Sequence, residues 1–382
     1  MANALGIVLF ALGIGLTIAL HEAGHMLTAR AFGMRVRRFF IGFGPKVAGF
    51  TRGHTEYGVA ALPLGGFCDI AGMTAMDEAL TEEERPHAMF TKPAWQRVIV
   101  LSGGVAVNIV LGFAILFGVA VTSGLPDLNA DMRPVVGETV CSAVGECPAG
   151  EAGVRAGDIV VALDGQPVPD FHMLRETVMP RPGEDVVLTV ERAGERLDIP
   201  VTLATDGQVG FIGVTSAPLD IIVKHNAATA LPATAEFSWY MATSTVQAIA
   251  GLPAKVPGVV AAIFGSERAD DSPMSVVGAS RVGGELVERS LWPSFFMMLA
   301  SLNYFLALFN LIPVPPFDGG HIAVVVYEKL RDAVRRLRGM PAGGPVDYTR
   351  LMPITYVMAA LLMAFGAIVI LADVVNPIRV FG

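Results

Sequence analysis

Residues 21–25 read His-Glu-Ala-Gly-His. In a helix, residues four apart lie on one face, so His21 and His25 can turn two imidazoles toward a single metal ion. Glu22 flanks that face, placed to take a proton from a metal-activated water. The setting sharpens the reading, because Glu22 is the only charged residue between Ala2 and Ala29. At mid-bilayer an Asp or a basic residue costs about 2.5–3.5 kcal/mol, and ionisable groups kept there serve a function by default. The competing reading has His21 and His25 simply hydrogen-bonding to neighbouring helices.

A catalytic zinc takes three protein ligands and leaves a fourth position open for water. The fragment NLIPVPPFDGGH, Asn310 to His321, supplies Asp318, the one carboxylate near the end of a later apolar stretch. Pro313, Pro315 and Pro316 prevent a continuous helix there and free backbone groups for other partners. On local chemistry alone, Asp318 followed by Gly319 and Gly320 fits a helix cap equally well. What favours the metal is depth: both fragments fall toward the same ends of their apolar stretches. His321 is a candidate to support the metal site from behind, whereas His54 reads as a surface turn and Cys68 as a small packing residue.

The elements that must position these residues follow from composition. The chain has 382 residues, 53% of them hydrophobic and 16% charged, with a mean hydropathy of +0.56. An average soluble protein carries roughly 25% charged residues. Four stretches are nearly free of charge: Ala2 to Ala29, Val98 to Pro126, Ser290 to Phe317 and Leu351 to Ala372. Each exceeds the roughly 20 residues that cross a bilayer as a helix. The fold class is therefore a polytopic α-helical membrane protein with about four transmembrane helices, at 1–31, 97–126, 290–318 and 351–375. Met1 to Leu20 has no Lys or Arg, so the first is read as a retained helix rather than a cleaved signal.

Basic residues cluster at Arg30, Arg35, Arg37, Arg38 and Lys46, and again at Lys329, Arg331, Arg335, Arg336 and Arg338. The positive-inside rule puts both clusters in the cytoplasm and both termini outside. The segment from Gly124 to Arg289, with 22 acidic against 11 basic residues, then lies outside, and its balance excludes a nucleic-acid-binding surface. Cys141 and Cys147 fall in it, where they either pair or stay as thiols. Residues 32–96 form a cytoplasmic-side β-rich loop with a turn near Arg52 to His54. Residues 135–216 form one small α+β domain, and 217–289 an amphipathic helical region in which Pro232, Pro253 and Pro257 break the helices. Residues 319–350 make a cytoplasmic-side helix and basic loop.

Together, HEAGH in a first span, NLIPVPPFDGGH closing a later one and an extracytoplasmic domain between them resemble the site-2 protease family of intramembrane zinc metalloproteases. GFGPKVAGF and YGVAALPLGGF are similar to that family's cytoplasmic β-hairpin region, and AMFTKPAWQRVIVLSGGVAVN to the start of its second span. The chain departs in having Ser102, Gly103 and Gly104 before Asn108, and Phe317 before the Asp. The resemblance implies that His21, His25 and Asp318 ligate Zn²⁺, that Glu22 is the general base, and that Asn310 holds the substrate backbone or the developing oxyanion. PAGEAGVRAGDIVVALDGQPV resembles a PDZ segment.

It further implies a bacterial inner-membrane enzyme that cuts single-pass transmembrane proteins, anti-sigma factors trimmed beforehand by a site-1 protease, within or beside their span. The alternatives are a membrane-anchored zinc protease of non-membrane substrates and a non-catalytic PDZ-bearing scaffold.

Overall fold

The computed structural model describes residues 2–74, 77–142, 145–207, 209–217, 221–269 and 271–378. It divides into two compact units, Met1–Leu125 with Lys224–Gly382, and Pro126–Val223.

The first unit begins with α1 (Ala2–Ala31), whose buried positions Phe10, Ile14, Thr17, His21 and His25 recur at three- and four-residue spacing along one side. A two-stranded antiparallel pair follows, β1 (Val36–Arg52) and β2 (Thr55–Ile70). Both strands bend back on themselves: Arg38 faces Asp69 and Glu56, and Ile41 faces Gly66 and Val59, while Val59 also faces Ala48. Two strands thus make four rows, in the order 66–70, 36–41, 55–60, 46–52.

The expected second span at 97–126 is two helices, α2 (Ala94–Leu101) and α3 (Gly103–Thr122), separated at Ser102. The break lets Gly24 of α1 and Gly103 of α3 meet backbone to backbone, where an added Cβ on either would strike the other chain segment. The second unit carries α4 (Pro148–Glu151) and α5 (Phe171–Val178), and after it come α6 (Ala227–Ile263), α7 (Val276–Glu288), α8 (Trp292–Asn310), α9 (Asp318–Leu337) and α10 (Met352–Val375). α8 ends at Asn310, so the expected third span is shorter than 290–318, and Leu311 to Phe317 form a non-helical connection to α9.

Among the described residues five helices, α1, α3, α6, α8 and α10, are long and apolar enough to cross a membrane, where about four are expected from the sequence. The fifth is α6, which corrects the reading of 227–264 as broken: the helix runs through all three prolines for 37 residues. Pro253 and Pro257 stand four apart, so the hydrogen bond lost at Pro257 is the one to the carbonyl of Pro253. The defects lie on one side, and the rest of the ladder carries the helix. Its start is capped by Asn226, which accepts from the Ala228 and Thr229 N–H groups while Thr229 Oγ1 accepts from the Asn226 N–H.

In the second unit a four-stranded sheet runs in the order Gln166–Pro167, Ile159–Leu163, Asp185–Arg192, Glu195–Thr202. Val186, Leu188 and Val190 alternate inward with the strand period of two, and pack with Val160, Leu163 and Leu174. Leu174 comes from a helix, Phe171–Val178, capped by Asp170 on the Met173 N–H at 2.8 Å. Cys141 and Cys147 are joined as a disulfide, their Cα atoms 4.1 Å apart.

Candidate metal centre

The structure brings His21, His25 and Asp318 together, although they lie at opposite ends of the chain. His21 Nε2 is 3.2 Å from His25 Nε2, and each is 3.3 Å from Asp318 Oδ2. These distances test the fit of a metal. Zinc bonds of about 2.0–2.1 Å in a tetrahedron place neighbouring ligand atoms about 3.3 Å apart, so the three atoms match one face of that tetrahedron. Both histidines are buried.

Each ring is held from its far side. His25 Nδ1 lies 2.8 Å from Val100 O, a carbonyl in the last turn of α2, where helix carbonyls lack an i+4 partner. The break at Ser102 is what exposes it. That bond needs Nδ1–H, which leaves the Nε2 lone pair for a metal. His21 Nδ1 lies 3.2 Å from the Asn108 side-chain nitrogen, while Asn108 Oδ1, fully buried, has no partner. Turned by half a revolution, the amide presents Oδ1 to His21 Nδ1–H, and His21 Nε2 is free to ligate.

Space for the ion depends on Gly104. A Cβ there would stand 2.5 Å from His25 Nε2 and 2.6 Å from His21 Nε2. Glu22 packs against the outermost row of the sheet: a Cβ at Gly66 would come 3.0 Å from Glu22 Cγ. Asn310 is not drawn into the cluster; its Nδ2 donates to Leu306 O, one turn back in α8, at 3.0 Å. The interhelical bond of α8 is made instead by Asn303, whose Nδ2 donates to Thr17 Oγ1 of α1 at 3.3 Å. His321 stacks on Tyr348 with ring centres 5.8 Å apart.

Sequence reading missed the roles of Asn108, Gly104 and Val100. The available signal was an amide within an apolar span, which in lipid needs a partner.

A zinc-sized triangle of two histidines and an aspartate beside a glutamate is the arrangement of a metallopeptidase, and comparison decides which. The profile of peptidase family M50 matches residues 9–346. The chain belongs to this family, the site-2 proteases. Zinc metalloprotease Rip1 of Mycolicibacterium smegmatis is 44% identical over 407 residues, covering 100% of both chains. The protein of the same name from Mycobacterium tuberculosis is 43% identical over 98% of each. Membrane metalloprotease ARASP, chloroplastic, of Arabidopsis thaliana is 32% identical over 82% of this chain and 68% of its own. This M50 peptidase is a zinc metalloprotease, and its long apolar helices make it a multi-pass membrane protein.

Proposed function

We propose that this M50 peptidase cleaves single-pass membrane proteins within or beside their membrane span, with His21, His25 and Asp318 holding the zinc and Glu22 as general base. The observation that carries this reading is the triangle of ligand atoms at 3.2–3.3 Å next to a carboxylate on an apolar helix. Bound there, zinc would polarise the scissile carbonyl and acidify water toward neutral pH. Val100 and Asn108 hold the two imidazoles in the ligating tautomer. Glu22 takes the water proton and returns it to the leaving amine.

A substrate helix hides its amides behind its own hydrogen bonds and must unwind before attack. Row 66–70 lies against Glu22 and presents the unwound segment with a strand edge beside the base. Asn310 keeps one amide N–H and its carbonyl oxygen for the substrate backbone or oxyanion. By family resemblance the substrates are anti-sigma factors shortened by an upstream site-1 protease, with the 135–216 domain, which we read as PDZ-like, selecting them.

The orientation that fits the basic clusters has both termini outside a bacterial inner membrane, with four crossings. In that arrangement α6 does not cross. Its start packs on Leu125, just past the end of α3, and Ala262 near its end accepts from Asn376, just past the end of α10. Both of those helix ends belong to the outer face.

The test uses the purified full-length chain. Glu22→Gln should retain about one zinc per chain and lose cleavage of a transmembrane substrate by a factor on the order of 10²–10⁴, whereas Asp318→Ala should lose zinc as well. Gly66→Val, which drives the edge row into Glu22, should slow cleavage with zinc unchanged. Robust proteolysis by Glu22→Gln would overturn the assignment.

A further inference from the structure

Where α1 ends and the β1–β2 turn folds back, the first unit has an open surface cavity of about 660 Å³. Three arginines, Arg30, Arg35 and Arg52, and two histidines, His54 and His87, line it, and no carboxylate does. The same region neutralises its other cations. Arg37 is gripped by Glu84 and Asp77, at 2.9 and 3.0 Å. Arg38 pairs with Asp69 at 2.9 Å, and Lys46 with Glu56. The cavity arginines are treated differently. Among the described residues no carboxylate pairs with Arg30 or Arg52, and the only one near Arg35 is Glu83, 4.0 Å away and 89% exposed.

We propose that this cavity binds a phosphate-bearing anion. Guanidinium forks match phosphate oxygens in geometry and charge, and gathering three of them with one distant, exposed carboxylate as counter-charge leaves a repulsion that such an anion relieves. Arg30 is already oriented, its Nη2 donating to Tyr57 Oη at 2.6 Å and to Thr55 Oγ1 at 2.8 Å. Thr55 Oγ1 is in turn held by its own bond to Val36 O at 2.6 Å. The end of α1 does not oppose an anion with loose carbonyls, because those of Thr28, Ala29 and Arg30 accept from Phe32, Met34 and Gly33. The volume falls in the range of small-molecule sites and exceeds a bare phosphate, so a glycerophosphate group fits.

Two sources supply that chemistry: the headgroup of an anionic phospholipid, since the cavity lies at the end of a membrane-length helix, or a soluble phosphate ester. The site is separate from the zinc ligands, so the inference stands independently of the proposed catalytic roles.

The test measures binding to the full-length chain in neutral detergent. The probes are short-chain phosphatidylglycerol, glycerol 3-phosphate and inorganic phosphate, each against wild type, Arg35→Gln/Arg52→Gln and the control Arg38→Gln. At least one probe should bind wild type and the control equally and the double variant at least tenfold more weakly. Binding of phosphatidylglycerol alone assigns the lipid as source; binding of the soluble anions assigns a cytosolic ester. If the double variant does not fold, Arg52→Gln at the exposed turn should still weaken binding about threefold. Equal binding to all variants, or no binding of any probe, would overturn the proposal.

Discussion

In the proposed zinc site Asn108 acts through one atom. With its amide turned to put the oxygen toward Nδ1–H it selects the His21 tautomer, and losing such an outer partner typically costs 10–100-fold in metal affinity. Asn108→Ala should therefore lower zinc affinity by about that factor, measured by competition with a chelator. Asn108→Asp, which keeps an acceptor toward Nδ1, should restore much of it. Gly104→Ala should behave differently: its methyl would stand within 2.6 Å of the Nε2 atoms of His21 and His25, so zinc should be lost outright with the helices intact by circular dichroism. Retention of stoichiometric zinc by Gly104→Ala would contradict the geometry described for the site.

At the scale of elements, the site needs α9, which carries Asp318, to stay registered against α2, which carries Val100. A buried ion pair does this. Arg97 Nη1 of α2 lies 2.6 Å from Glu328 Oε2 of α9, both side chains no more than 10% exposed. Glu328 Oε1 also accepts from the Val346 N–H at 2.8 Å. Removing one partner of a buried pair strands the other charge and costs about 3–5 kcal/mol, whereas replacing both with apolar residues is often neutral. Arg97→Met should thus lower both thermal stability and zinc retention, and Arg97→Met/Glu328→Leu should recover most of each. A double variant as unstable as the single one would show that the charge itself, not the register, is required.

The whole molecule joins two units whose stabilities respond to different conditions. In the second unit, burial pushes the Asp158 carboxyl up, but two bonds from Arg192, each 2.7 Å, and one from the Arg155 N–H outweigh it and hold the group below the usual carboxylate range. A depressed folded value means that this stabilisation is complete above the unfolded pKa of about 3.9 and is lost as pH falls through the folded value. Hydrogen exchange across Val186 to Val201 in the full chain, corrected for intrinsic rate, should accelerate on acidification below about pH 4. Asp158→Asn should remove that pH dependence and already be less protected at neutral pH. An unchanged acid response in Asp158→Asn would exclude this pair as its origin.

Selection is the role proposed for that unit. Replacing residues 135–214 with a flexible linker should admit untrimmed substrates while Glu22-dependent cleavage of short ones continues. A linker variant that binds zinc yet still rejects every untrimmed substrate would move selection into the first unit. A cysteine placed in 135–214 should also react with an impermeant thiol reagent in intact cells, and one near Arg336 should not.

Residue type and local spacing determined the His21–Glu22–His25 face, the charge-free lengths of the long helices and the candidacy of Asp318, because each depends on neighbours within a few turns. Tertiary structure alone decided that Asp318 reaches the histidines, since a contact between the two ends of a chain leaves no periodic trace. It also decided which carbonyl holds His25, which amide holds His21, and which asparagine of α8 bonds across helices. Asn303 and Asn310 are indistinguishable by type and differ only in what faces them. The continuity of α6 escaped local reading for the opposite reason: proline signals a break in water, but two prolines four apart leave most of an apolar helix's ladder intact.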